Sequence, residues 1–104
     1  MHEIVIAERI VKEAKKFGDI NEVSIVLGEL CNITKDELQG AIQTIVNWKI
    51  DILVEESKIE CSCDYSGKAN IIDKGHGYCI FNCPNCHKKP SVIKGGDIRI
   101  IGVK

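Results

Sequence analysis

Apolar and polar positions alternate along this chain in two distinct periods. From Ile4 to Phe17, Ile6, Ile10 and Phe17, with Ala7, Val11 and Ala14, form one apolar stripe. Glu8, Arg9, Lys12, Glu13 and Lys16 fill the opposite face. That is the helical period, and Gly18-Asp19 ends it. From Glu22 to Leu30 the period changes to two. Val23, Ile25 and Leu27 alternate with Glu22, Ser24 and Val26, which predicts a strand whose second face is also partly apolar. Thr34-Lys35-Asp36-Glu37 is a capping box opening a second helix. Leu38, Ala41, Ile42, Ile45 and Val46 lie on one face of that helix, which is expected to run to about Trp48. Ile50, Ile52 and Val54 then alternate in a second strand, and Asp97 to Val103 reads as a third.

The composition shifts at Ser57. From Cys61 to Pro90 the chain is rich in Cys, Gly, Asn and Lys and has few runs able to form a core. A segment of this kind needs a staple to fold. The third strand has only the first two to pair with, so the stapled segment reads as an insertion. The fold class expected is α+β, with two helices on a small three-stranded sheet. Residues 1–57 plus 95–104 form one domain and residues 58–94 an inserted, zinc-ribbon-like one.

Five of the six cysteines fall between Cys61 and Cys86. Cys83-Pro84-Asn85-Cys86 has the C-x-x-C spacing that lets one turn present two thiolates to a tetrahedral zinc ion. Cys61-Ser62-Cys63, one residue shorter, is the natural second turn. Cys79 sits in Tyr78-Cys79-Ile80-Phe81, which resembles a short strand, and reads as a packed or half-exposed thiol, the alternative being that it takes the place of Cys61 or Cys63. Cys31 stands alone after the first strand and reads as a small buried hydrophobe. Four thiolates around one ion leave no open position, so such a site is structural rather than catalytic. The chain has no nucleophile motif, no phosphate-binding glycine loop ahead of a helix and no H-E-x-x-H; Gly95-Gly96 reads as a loop hinge.

Charge and hydropathy narrow the function further. Fourteen basic residues against 15 acidic ones give a formal net charge of -1, with no general attraction to a phosphate backbone. No apolar run is long enough for a membrane span and the first residues have no signal-peptide pattern, so a cytoplasmic protein is expected. In a reducing compartment clustered cysteines are metal ligands more often than disulfides. At the chain start, the terminal amine, the next backbone nitrogen and the His2 imidazole can form fused chelate rings. That plane of nitrogens suits Ni(II) or Cu(II). By residue type alone, His2 is a solvated histidine and Glu3 a favourable charge at a helix start.

Met1-His2-Glu3, Leu27-Gly28-Glu29-Leu30 and Cys83-Pro84-Asn85-Cys86, in this order, resemble the HypA/HybF family of nickel metallochaperones for [NiFe]-hydrogenase maturation. The resemblance covers nearly the whole chain. It implies a non-enzymatic role, holding Ni(II) and passing it, with a HypB-type GTPase, to the hydrogenase large-subunit precursor. It further implies His2 as the essential nickel ligand, with the Met1 amine and backbone nitrogens completing the plane and Glu3 tuning it. Cys61, Cys63, Cys83 and Cys86 would hold Zn(II). His76, between two glycines, is either a loop histidine or a further nickel ligand. The chain departs from the family in its C-x-C first turn, a shortened stretch from Trp48 to Ile52, and the extra Cys79. A monomer or weak homodimer is expected, with no nucleic acid or membrane partner. The competing classes are a zinc-ribbon interaction module indifferent to His2, and a thiol redox protein using Cys79 with Cys83 or Cys86.

Overall fold

The computed structural model describes residues 2–75 and 77–104, without the side chains of His2 and Glu3. Its two helices are α1 (His2–Lys15) and α2 (Lys35–Gln43). Strands β1 (Glu22–Gly28), β2 (Lys49–Glu55) and β8 (Ile98–Val103) form a sheet in the order β2-β1-β8. β2 runs parallel to β1 across the α2 crossover, whereas β8 returns antiparallel on the other edge. Both helices cover one face of this sheet. Ala7, Ile10, Val11 and Ala14 of α1 and Leu38, Ala41 and Ile42 of α2 bury Val23, Ile25, Leu27 and Ile52. On the opposite face Leu53 and Ile101 are exposed. The architecture is α+β, with helices on one side of the three-stranded sheet.

The ends of α1, α2 and β1 differ from the sequence expectation. α1 starts at His2 and stops at Lys15, because Lys16, Phe17 and Gly18 each bond back three residues, to Glu13, Ala14 and Lys15. That tighter turn swings Phe17 off the apolar stripe, and it is 67% exposed. α2 opens on the expected capping box, with Thr34 and Glu37 exchanging bonds of 3.0 and 3.2 Å, but ends at Gln43 rather than near Trp48. Thr44 caps it, its hydroxyl donating to the Ala41 carbonyl at 2.6 Å, and Ile45 turns outward. β1 stops at Gly28, so Glu29 and Leu30 lie in a turn.

The segment after Ser57 is more ordered than its composition suggests. β3 (Lys58–Glu60) pairs with β4 (Ser66–Gly67) and β7 (Ser91–Lys94), and β5 (Asn70–Gly75) forms a hairpin with β6 (Tyr78–Asn82). The segment has its own small core of Ile59, Ala69 and Cys83, flanked by Tyr65, Ile71, Cys79 and Phe81. Leu30 comes from the turn after β1 and is buried there too. Burying one leucine stabilises by roughly 2 kcal/mol, so the second core draws part of its stability from the first sheet.

The two parts meet where three backbone segments cross. A Cβ built on Gly28 would sit 2.3 Å from the carbonyl carbon and oxygen of Gly95, and one on Gly95 2.7 Å from the Ser57 Cα. Gly95 also has φ +85, where a side chain is strained. The Gly28 N–H donates to the Asp97 carbonyl at 2.8 Å, Glu29 N–H to Glu55 at 2.9 Å and Leu30 N–H to Gly95 at 2.8 Å. Gly95 is buried here, so Gly95-Gly96 is a packed crossing and not the loop hinge expected from sequence. Gly40 is the contrast: it is helical, exposed, and a Cβ there meets nothing within 4 Å. In urea titrations Gly28→Ala is expected to cost about 2–3 kcal/mol by overpacking, whereas Gly40→Ala should stabilise by about 1 kcal/mol through helix propensity. Equal effects of the two alanines would contradict the crossing.

Candidate metal centre

The cysteine turns are built alike. In the first, the Cys61 N–H donates to the Tyr65 carbonyl and the Asp64 N–H to Cys61, with Asp64 at φ 72 closing the turn. In the second, Cys83 N–H donates to Lys88 and His87 N–H to Cys83, with His87 at φ 63. Each left-handed residue sends the chain back past its own cysteines, which turns successive backbone N–H groups towards sulfur. β3 leads into the first turn and β6 into the second.

The four sulfurs of Cys61, Cys63, Cys83 and Cys86 all lie within 4.8 Å of one another, the one group of three or more such donors among the described residues. Cys61 Sγ is 3.3 Å from Cys86 Sγ, and Cys63 Sγ is 3.6 Å from Cys83 Sγ. These are too long for disulfides, whose bonds are about 2.05 Å. They are close to the edges of about 3.8 Å expected for four sulfurs at about 2.3 Å from a tetrahedral ion. The set therefore fits a four-thiolate metal site. Both residues of the C-x-C turn contribute a sulfur, and Cys79 lies outside the group.

The surroundings favour charged sulfur on the first turn. The Asn85 amide donates to Cys63 Sγ at 3.3 Å, and this bond, with the Tyr65 backbone N–H, lowers the Cys63 pKa to about 6. Cys61 is lowered chiefly by the Cys63 backbone N–H and its bond with Cys86. At Cys86 the Lys88 N–H acts to lower the pKa. The neighbouring Cys61, burial, and the Cys63 and Cys83 sulfurs outweigh it and push the pKa up to about 12. Four thiols at this spacing cannot all ionise unless a cation shares the space, which is what a divalent metal supplies.

At the other end of the chain, His2 is the first residue of α1 and Glu3 the second. Their side chains, Met1 and His76 all lie outside the described residues. One other sequence mark takes its meaning from the fold. In Leu27-Gly28-Glu29-Leu30, Leu27 belongs to the first core, Gly28 to the crossing and Leu30 to the second core. Glu29 is the polar link: its carboxylate accepts the Ser57 N–H and lies 3.7 Å from Lys68 Nζ. Ser57, itself buried, accepts the Ala69 N–H on its hydroxyl at 3.0 Å. The Lys74 ammonium donates to the Glu29 carbonyl at 2.7 Å. Sequence reasoning had no signal for Ser57, Lys68 or Lys74, because each acts across a long sequence separation.

A fold with helices on one face of a three-stranded sheet, and a four-cysteine segment spliced in before the last strand, defines a small two-part metal-binding protein. The chain belongs to the family described as hydrogenase/urease nickel incorporation, metallochaperone, hypA, whose model matches residues 1–104. No curated protein matches it. Among solved structures it is similar to the Ni metallochaperone HypA from Helicobacter pylori, with TM-score 0.66 and 20% identity over 98% of this chain and 95% of that one. It is also similar to a solution structure of HypA protein, with TM-score 0.53 and 24% identity over 98% and 90%. At those identities the likeness establishes the fold.

Two outcomes are expected. Asn85→Ala removes a donor to Cys63 and should weaken metal binding at the four cysteines about tenfold, measured by competition with a chelator; unchanged affinity would count against the role given to Asn85. Burial acts to raise the Glu29 pKa, but the Ser57 hydrogen bonds and Lys68 outweigh it and hold the carboxyl below its usual range. Its contribution is therefore present above the unfolded pKa and lost as pH falls through the lower, folded one. Glu29→Gln should cost about 1–2 kcal/mol near neutral pH, and the two stability curves should converge in acid. Parallel curves would sink this account of Glu29.

Proposed function

We propose that this protein is a nickel metallochaperone that binds Ni(II) at its N-terminus and delivers it during [NiFe]-hydrogenase maturation. It does not act as an enzyme. The whole-chain family match carries this reading. His2 is the essential ligand, joined by the Met1 amine and backbone nitrogens, and Glu3 tunes the site. α1 begins at His2, and the backbone N–H groups of a helix's first turn have no intrahelical carbonyl to bond. Giving up such a proton to a metal breaks no helical bond. The positive end of the helix dipole also works against a cation there. Chelation is opposed by the macrodipole, a balance that suits an ion meant to be released.

Cys61, Cys63, Cys83 and Cys86 hold Zn(II), which supplies charge and a fixed tetrahedral hub and leaves no position for a substrate. Residues 58–94 form the zinc domain and residues 1–57 with 95–104 the nickel domain. The recipient is a hydrogenase large-subunit precursor, reached with a HypB-type GTPase. The protein works in the cytoplasm as a monomer or weak homodimer; among the described residues no helix is long and apolar enough to cross a membrane.

Calorimetric titration of Ni(II) into untagged protein tests this reading. Wild type is expected to bind, whereas His2→Ala and a one-residue N-terminal extension should lose most of the affinity. Equal binding by all three would remove His2 from the site and leave a zinc-ribbon interaction module. Metal analysis should find about one zinc per chain.

A further inference from the structure

Two thiols remain outside the four-sulfur cluster, and the fold brings both to one cavity. Cys31 lies in the turn after β1, with its N–H on the Gly28 carbonyl at 3.1 Å, and packs against the first core. Cys79 lies on β6 and packs against the second. Both are half-buried and unbonded to another cysteine. They line a cavity of about 700 Å³ between α1, the turn after β1, β6 and the start of β8, where Asp97 also lines the wall.

Lys74 brings these two walls together. It pairs with Cys79 across the β5–β6 hairpin, and its ammonium reaches over to the Glu29 carbonyl, two residues before Cys31. Burial raises the pKa of both thiols and the Lys74 charge acts to lower both, while Cys31 also feels Cys79 and Asp97. The two sulfurs therefore share one electrostatic environment although they belong to different parts of the fold.

We propose that Cys31 and Cys79 form a second metal site, for a thiophilic divalent ion held between the two cores. Thiolate ligands select soft and borderline ions over Mg(II) or Ca(II). Binding ionises both thiols, and the two protons leave to solvent. In this proposal the two thiolates are the protein's ligands and water takes the remaining positions, so the ion exchanges. That sets this site apart from the closed four-thiolate one. It stands independently of the His2 reading.

Co(II) is the probe, because it binds such sites less tightly than zinc does and will not displace it. Zinc-loaded wild-type protein, titrated anaerobically with Co(II), should develop a sulfur-to-cobalt charge-transfer band saturating at about one further equivalent. Cys31→Ser and Cys79→Ser should each abolish the band, whereas His2→Ala should keep it. On the unmodified chain, alkylation mapped by mass spectrometry should show Co(II) slowing modification of Cys31 and Cys79 together. Absence of the band, its survival in either serine variant, or identical labelling with and without cobalt would overturn the proposal. Loss of nickel binding in His2→Ala with the cobalt band intact separates this site from the one at the N-terminus.

Discussion

The backbone crossing of Gly28, Gly95 and Ser57 is the constraint on which the arrangement depends. At the end of β1 the chain leaves the first sheet, and within two residues Leu30 is buried in the second core. Gly95 closes the same crossing from the far side before the chain rejoins the first sheet as β8. Side chains at Gly28 and Gly95 would force these segments apart. The hydrogen bonds of Gly28, Glu29 and Leu30 to Asp97, Glu55 and Gly95 would then lengthen together. Neighbouring contacts of this kind couple rather than add. The crossing thus acts as a unit that holds the inserted segment to the helical one.

Glu29 adds an electrostatic layer to that steric one. Its carboxylate takes the Ser57 N–H and faces Lys68, and its carbonyl takes the Lys74 ammonium. Ser57 passes the connection on to Ala69. An isolated surface ion pair contributes little, but here the carboxylate is mostly shielded and hydrogen-bonded to backbone, where loss of one partner leaves the other unsatisfied. The outer face has a weaker counterpart in Arg99, which bonds Glu55 at 2.7 Å and Asp97 at 3.0 Å in a more exposed setting.

Much of the first part was legible in the chain. The periods of three to four and of two placed both helices and all three strands of its sheet, and the Thr34–Glu37 box fixed the start of α2. What escaped was local: Phe17 and Ile45 were placed on apolar faces, and short turns rotated them out. In the inserted segment only the Tyr78–Phe81 strand was visible. β3, β4 and β7 have two to four residues each, too few for a period to register. Their pairing depends on long-range contacts and on the cysteine turns. The C-x-C spacing left open which cysteines meet; the positive φ at Asp64 supplies the reversal that lets Cys61 and Cys63 reach one point.

The donor sets divide the proposed tasks by how readily each would let an ion go. Four sulfurs within 4.8 Å, three of them served by backbone N–H groups, form a site that gains stability from folding and gives it back only by unfolding. The nickel site proposed at the first residues of α1 would have the opposite character: backbone donors there have no helical partners to lose, and that helix end opposes positive charge. The cavity with Cys31 and Cys79 is separate from both, with α1 on one wall and β6 on another. Ile6 and Ile10 of α1 line that cavity, one and two turns beyond His2 in a helix of about 3.6 residues per turn. The cavity that carries the two thiols therefore opens beside the helix on which the proposed nickel site would stand. Because the two thiols belong to different cores, ion binding there would tighten the contact that the Gly28–Gly95 crossing already enforces.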